Sequence, residues 1–478
     1  MRRFPSRSES DAGAHASRKV QKSFLTRAVF PLFAWGLAFH SLVMAALFGW
    51  FGLPEGVVRV IAAWKDIGLL LLLFIVFIRA ISGRGPGVQV TWTDFWIGGL
   101  VIVATMYFAG ENLWLRTNLP ISAELLGWRQ AVFFMLVYFV GRAMPDLADD
   151  DGTMRKIFFL VLVTCVLGIL ERFLLPPEGL VALGVAAYFQ DFLGASAITV
   201  GNEYGLPTNY WASLGGHQVR RAGSIYLGGQ GFAVPFLLFF PMITAWVFSR
   251  AKRSAWQIIG YSIVCIALLL TLTRMTIMVA MLQLLLFILL RRRPEWAVAG
   301  LALAAMLFLS AMVLVPGFPI FVLHTLSGQE SSTAGHLTDW SNGVLAFLEQ
   351  PWGFGLGTAD LVAIRSGLEH ITGDNLYLTY AVEMGVAGVG LLILALGSIM
   401  GHAMNLLRNG ATEAERRMGT ALWLAAIGLA INGMTAVVFN SITLGWLFFW
   451  LAGAVVTRSQ RAAASVESAV PELRLATT

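Results

Sequence analysis

The sequence has 478 residues, of which 57% are apolar and only 13% charged. Its length would accommodate two or three soluble domains, but charge gathers in short clusters between apolar runs long enough to cross a bilayer. The formal net charge of +6 is dispersed at the ends of those runs with no stripe along one surface, which argues against a nucleic-acid partner.

A polar, basic stretch, residues 1–27, comes first and reads as a cytoplasmic tail ahead of an uncleaved first helix. Apolar segments follow at 28–50, 61–82, 92–109, 124–141, 155–172, 223–248, 256–273, 275–290, 296–317, 375–401, 419–438 and 441–457. They predict an all-α polytopic membrane protein with twelve spans, a single transmembrane unit over 28–457 and both termini cytoplasmic. The positive-inside rule supports that count. The inner segments hold most of the 33 basic residues, and the outer side keeps Arg59, Lys65, Arg116, Arg129, Arg172, Arg220, Arg221, Arg274 and Arg365. Residues 179–200 are apolar enough to suggest another span, but that would place Arg291–Arg293 outside. They are expected as an interfacial or re-entrant helix with Gln190 and Asp191 at the water. Residues 458–478, rich in Ala, Ser and Glu, are expected to form a disordered cytoplasmic tail. Cys165 and Cys265 fall inside apolar segments and suggest neither a disulfide framework nor a soft-metal site.

Two outer, periplasmic loops, 173–222 and 318–374, exceed ordinary loop length, and loops that long bind, cover or catalyse. They contain His217, His324, His336 and His370. In the second loop Trp340, Val344, Phe347 and Leu348 recur at helical spacing and predict an amphipathic helix over 337–349, capped by Ser331, Ser332 or Thr338 and stopped by Pro351. Gly353, Gly355 and Gly357 then alternate, a pattern that permits tight turns or close backbone approach.

Arg274 is the most informative single residue. It stands in LTLTR between two apolar segments with almost no loop, where an ionised guanidinium is expensive unless it reaches water or an anion. Arg220 and Arg221 enter the next span through RRAGSIYLGGQGF. Guanidiniums bind phosphates through a rigid fork of donors, although snorkelling to lipid headgroups explains the same positions. Asp374 and Asn375 open the tenth span and suit a helix cap, with Glu383 two turns inside as a buried polar partner and Gly385 and Gly388 allowing close packing. Lys65 and Asp66 are adjacent on a helix and need separate partners, with Arg59 and Asp66 able to share a face.

Taken in order, the Arg220/Arg221 segment, LTLTR, SSTAGHLTDWSNGVLAFLEQPWGFGLG at 331–357 and GDNLYLTYAVEMGVAG at 373–388 resemble the superfamily of O-antigen ligases and of O-antigen and exopolysaccharide polymerases. The resemblance covers roughly residues 200–405. It implies a GT-C-like glycosyltransferase of the bacterial inner membrane with its site facing the periplasm. The donor would be an undecaprenyl-diphosphate-linked glycan, the acceptor a sugar hydroxyl on a glycan or lipid-linked molecule, and the other partners membrane lipids and polysaccharide export proteins. It gives Arg220, Arg221 and Arg274 the donor diphosphate and leaves Asp374, His370 and His336 as candidate bases beside Arg274 as catalytic groups. Asp339, Trp340, Asn375, Glu383, Gly353, Gly355 and Gly357 would support them. An inverting displacement without metal or cofactor is implied. Ligases of the superfamily carry a histidine where this sequence has Asp374, and His336 stands where many relatives have an arginine or another polar residue. The expected activity is therefore polymerase first, ligase second. A flippase of lipid-linked sugars is a third possibility.

Overall fold

The structure is a computed structural model that describes residues 25–83, 87, 89–115, 119–195, 199, 202–214, 217–249, 254–292, 318–327, 331–368 and 371–476, with isolated positions 298, 306 and 309. The helices that carry the architecture are α1 (Leu25–Trp50), α2 (Glu55–Ile81), α3 (Trp92–Trp114), α4 (Ile121–Arg142), α5 (Asp151–Leu174), α6 (Gly229–Phe248), α7 (Ala255–Leu270), α8 (Arg274–Leu290), α9 (Ser331–Glu349), α10 (Leu376–Asn409), α11 (Glu413–Asn432) and α12 (Ile442–Ala476). Among the described residues, α1 to α6, α10 and α12 are long and apolar enough to cross a membrane, which makes 8, and α7 and α8 are shorter apolar helices. The protein is thus a multi-pass, all-α membrane protein, with one hairpin among the described residues, β1 (Trp211–Leu214) paired antiparallel with β2 (His217–Arg220). Of the twelve expected spans, 296–317 lies outside the described residues except at 298, 306 and 309.

Two helices form the centre. α6 and the first half of α12, as far as Thr457, bury nearly every side chain, including Phe239, Trp246, Phe448, Phe449 and Trp450. An all-round apolar sequence suits a helix surrounded by others. α2 lies outside and exposes Phe74, Phe77 and Ile81, as a lipid-facing helix does. Pro241 inside α6 lacks the N–H that would serve the Leu237 carbonyl one turn earlier. Gln283 of α8 supplies the replacement, its amide donating to Leu237 O at 2.9 Å and to Leu424 O of α11 at 3.0 Å. One side chain therefore ties three helices together at a backbone defect.

At the end of the bundle where α5 and α11 begin, charge is neutralised by ion pairs. Arg142 is buried against Asp94 at 2.9 Å and donates to Thr457 at 2.8 Å, with Tyr138 also donating to Asp94. Arg458 bridges Asp149 and Glu415, and Arg417 meets Asp151 at 2.6 Å.

Several expectations change. Residues 179–200 do not make one helix: Pro177–Ala182 is one short helix, and Val185–Ala187 continues into a π-helical turn at Tyr188–Phe192 as a second. Gly184 has φ +83° and presses on the backbone of Gly49, seating Leu180, Val185 and Phe192 against Met44 and Val58. Arg59 pairs with Glu55 rather than sharing Asp66, which meets Arg129 of α4 at 2.6 Å. Lys65 is buried with His40, so the two adjacent charges of α2 do have separate partners. The expected disordered tail is helical as far as Ala476, in keeping with its alanines and glutamates. Residues 1–24 lie outside the described set.

Replacing Gln283 with Leu leaves the Leu237 carbonyl buried and unserved, and lowers unfolding stability in detergent by about 1–3 kcal/mol. In a Pro241→Ala background the restored N–H satisfies that carbonyl. A double-mutant cycle will show a smaller cost there; equal costs in both backgrounds would contradict the pairing.

Candidate functional site

The hairpin register sets the first cluster. With Trp211 opposite Arg220, the chain leaves β2 so that Arg221 N–H donates to Tyr210 O at 2.7 Å and Ala222 N–H to Leu270 O at 2.9 Å. The two arginines then diverge. Arg220 turns back to α5, where its guanidinium pairs with Glu171 and also donates to Leu175 O. Arg221 turns to the α7–α8 connection, donating from Nε to Thr271 O at 2.7 Å and from its terminal nitrogen to the Thr273 hydroxyl. Gly229, at the start of α6, leaves the space this side chain crosses; a Cβ there would lie 2.5 Å from Arg221 Nε. Burial, and then the like charge of Arg274, lower the Arg221 guanidinium to about 10. It stays cationic at neutral pH, and both hydrogen bonds go to uncharged oxygens. Arg274 is exposed at the first position of α8.

The second cluster rests on a break in α10. Gly385 has φ +62° and ψ −157°, so the helix ladder stops there. The glycine run of the preceding loop occupies the gap. Phe354 N–H donates to Val382 O at 2.7 Å, Gly355 N–H to Glu383 O at 3.1 Å, and Val386 N–H to Pro351 O at 3.0 Å. Buried Glu383 adds its carboxylate, accepting from Gly357 N–H at 2.9 Å. Backbone groups released by the break are thereby paired again, as a low-dielectric interior requires. Gly353, Gly355 and Gly357 have φ of +89°, +105° and +84°. A Cβ on Gly353 would lie 2.7 Å from Glu383 O, and one on Gly385 would strike Pro351 O. Alternating glycine is therefore the condition for docking a loop strand against a helix.

On either side of that dock the chain places its histidine, upstream on α9, and its acid, downstream at Asp374. α9 begins at Ser331, six residues before the predicted start, and stops at Glu349 ahead of Pro351. Gly343 lets α9 lie against Thr372 and Leu378, and the Thr372 hydroxyl donates to Asp339 O at 3.1 Å. His336 Nδ1 then stands 3.6 Å from Asp374 Oδ2. Asn375, not Asp374, caps α10, accepting from Tyr377 and Leu378 N–H at 3.0 Å each. Asp374, at φ +48°, is left to face His336. The indole N–H of Trp340 is buried with no hydrogen-bond partner among the described residues.

Both clusters occupy one end of the bundle. Two residues beyond Arg274, the hydroxyl of Thr276 lies 3.2 Å from Asn432 Oδ1 at the end of α11. The next carbonyls, Gly433 and Met434, accept from Leu376 N–H at 2.7 Å and from the Asn375 amide at 3.0 Å. Of the six non-glycine residues with positive φ among the described residues, Ser224, Leu227, Leu272, Asp360 and Asp374 belong to the segments that build this end. Backbone strain concentrates where a site must be held in one geometry.

Asp360 escaped the sequence reading. It opens the short helix Asp360–Arg365 at φ +55°, with its N–H donating to Thr372 O at 2.8 Å. Its buried carboxylate accepts from Asn440, which in turn accepts from Gln130 of α4. Burial raises its carboxyl to about 6 against the Asn440 hydrogen bond, and Asp374 adds to the rise. A lone Asp in GTADLVAIR carries no motif, and only the tertiary contact marks it. His370 lies outside the described residues, as does the side chain of His217.

Residues 259–393 match the family model described as O-antigen ligase. The chain carries that region over part of its length, and the match includes Arg274, His336, Asp360 and Asp374 while Arg221 lies before it. No curated protein matches the chain.

Two outcomes test this geometry. Gly385→Ala will lower stability by about 2 kcal/mol or more, whereas Gly390→Ala, where a Cβ meets open space, will leave it unchanged or higher; equal effects would contradict the docked break. Because burial raises the folded carboxyl of Asp360 to about 6 from the ordinary 3.8, the native state holds that proton more tightly than the unfolded chain. Stability will fall as pH rises from about 4 to 6, by about 3 kcal/mol, and then level off. Asp360→Asn will remove that slope from thermal unfolding curves; an unchanged slope would assign it elsewhere.

Proposed function

We propose that the protein is a membrane glycosyltransferase of the O-antigen ligase type, which moves a glycan from a polyprenyl diphosphate to a hydroxyl of an acceptor. The observation that carries this reading is the hydrogen bonding of Arg221 to Thr271 and Thr273, the residues just before Arg274, at the same end of the bundle as the His336–Asp374 pair. The donor already bears a phosphate leaving group, so the main catalytic demand is to stabilise charge as the bond to the anomeric carbon breaks. Arg221 and Arg274 would hold the diphosphate in this reading, and Arg220, committed to Glu171, would brace the hairpin that presents Arg221. The acceptor oxygen would attack the anomeric carbon as the diphosphate leaves, its proton passing to Asp374 or His336. A single displacement of this kind inverts the anomeric centre and leaves undecaprenyl diphosphate as the second product. The arginines supply the positive charge, so no metal is required in this scheme. The wider reading is a twelve-span, GT-C-like protein of the inner membrane whose arginine end faces the periplasm.

Between transfer of a finished glycan and elongation by repeat units, the family match over 259–393 favours the ligase reading, where the sequence alone leaned to polymerase because Asp374 replaces a histidine. The contact at 3.6 Å bears on that departure, since His336 brings an imidazole to the position from α9.

Reconstitution with a lipid-linked repeat unit separates the readings. Loss of glycan from the carrier into a new acceptor, with release of undecaprenyl diphosphate, identifies a ligase; longer lipid-linked chains identify a polymerase. Arg274→Ala and Arg221→Ala will each reduce turnover by about 10²–10³-fold in protein that still folds, and lysine will restore only part because it lacks the bidentate fork. Normal turnover in both alanine variants would remove the basis of the reading.

A further inference from the structure

α9 starts over the mouth of α10 and does not stay there. Near its start His336 stands beside Asp374. Midway, Gly343 lies against Leu378, and just past its end Pro351 O accepts from Val386 N–H at 3.0 Å. These contacts advance along both chains together, so α9 descends beside about three turns of α10.

Two helix lengths fix how deep it goes. Both are measured from the Arg142–Asp94 pair at the opposite end of the bundle. Along α3, Tyr107 is about 20 Å from Asp94, and the Tyr107 hydroxyl donates to Trp352 O. On α10, His402 is hydrogen-bonded to Ser459, close to the Thr457 that holds Arg142. Val386 is about 24 Å along the axis from His402. Both lengths fall short of the ~30 Å thickness of a hydrocarbon core. Pro351 and Trp352 therefore lie below the level of the headgroups. The backbone obeys the rule for that depth, since Phe354 and Gly355 direct their N–H groups to carbonyls of α10.

The outward face of α9 changes on the way down. Early on it exposes Ala334, Thr338, Ser341 and Asn342 alongside Leu337. Later it exposes Val344, Leu345, Leu348 and Glu349. Leu345 and Leu348 are 65% and 67% exposed, and Trp352 beyond them 73%. The neighbours of Trp352 continue this surface. Met106, one residue before Tyr107, and Val386, bonded to Pro351, are each 52% exposed on helices long and apolar enough to cross a membrane. The apolar strip is thus continuous with the lipid-facing sides of α3 and α10. Glu349 is the one charged residue in this half, which suits a helix at the boundary of headgroups and acyl chains.

We propose that the second half of α9 and Trp352 dip into the leaflet at the arginine end, with Leu345, Leu348 and Trp352 seated among its acyl chains. The partner of this surface is bilayer lipid, whatever reaction the site performs. The lipid seat holds one end of α9 while the other end carries His336 to the mouth of α10.

Spin labels on single cysteines of the full chain, in nanodiscs of phosphatidylethanolamine and phosphatidylglycerol, test this depth. Cys265→Ser removes the more accessible native thiol, and Cys165 is buried. Oxygen concentrates in hydrocarbon and a nickel chelate in water, so their relative effect on each label reads its surroundings. Labels at Leu345→Cys, Leu348→Cys and Trp352→Cys will favour oxygen, as will one at Ile393→Cys on the exposed side of α10. Their depth will be about 5–10 Å below the headgroups. Labels at Ala334→Cys and Thr338→Cys will favour the chelate. All these side chains are exposed, and the variants will keep the parent melting temperature. Chelate access at 345 and 348 equal to that at 334 and 338 would overturn the proposal by placing the helix in water. Exclusion of both reagents from 345, 348 and 352 would overturn it as well, by showing that protein covers the strip.

Discussion

The interrupted ladder of α10 at Gly385 is the constraint on which this end of the molecule depends. A helix broken inside a membrane protein exposes carbonyls and N–H groups that neither lipid nor apolar side chains can satisfy. Here the Pro351–Gly357 segment fills that need with its own backbone, and Glu383 secures it through Gly357 N–H. The loop is thereby fixed at its middle. Its upstream arm, α9, is held over the mouth of α10, and its downstream arm returns through Asp360 and Thr372 to Asp374. The described part of the loop before α10, residues 331–368 and 371–375, is thus fitted into the bundle.

The two ends of the bundle handle charge differently, and the proposed site lies at the end where a guanidinium has no carboxylate among the described residues. At the end where α5 and α11 begin, Arg142, Arg417 and Arg458 each meet a carboxylate. Removing one partner of such pairs leaves a costly buried charge, so they act as latches. At the opposite end Arg220 follows the same rule with Glu171. Arg221 does not: it is half-buried and bonded to the neutral oxygens of Thr271 and Thr273, just before Arg274, whose like charge lowers it. Two like charges held close are unfavourable for the fold alone and favourable for an anion bearing more than one charge.

Much of this was legible in the sequence. Apolar runs located the helices, because span length and backbone satisfaction leave few alternatives. Arg274 stood out because a charge between two apolar runs needs a reason, and alternating glycine signalled close backbone approach. The rest depended on contacts between distant elements. Asp66 finds Arg129, 63 residues away, instead of Arg59 on its own helix. Which of two adjacent arginines faces Glu171 is decided by the hairpin, and Gly385 reads as a packing glycine until Pro351 is set against it. Asp360 carries no local pattern, and only its contacts with Asn440 and Thr372 reveal it. The tail after Val456 erred in the other direction, its composition being as compatible with helix as with disorder.

The account stands most directly on where a polyprenyl diphosphate binds. Photoaffinity labelling of the intact protein in lipid bilayers, with a polyprenyl diphosphate carrying a photoreactive group next to the diphosphate, measures this without assuming a product. Adducts should map to the Arg221–Gly229 and Thr271–Thr276 segments and be competed by unlabelled undecaprenyl diphosphate. Adducts confined to the end of Arg142, Arg417 and Arg458, or spread over the lipid-facing surface of α2 without competition, would contradict it.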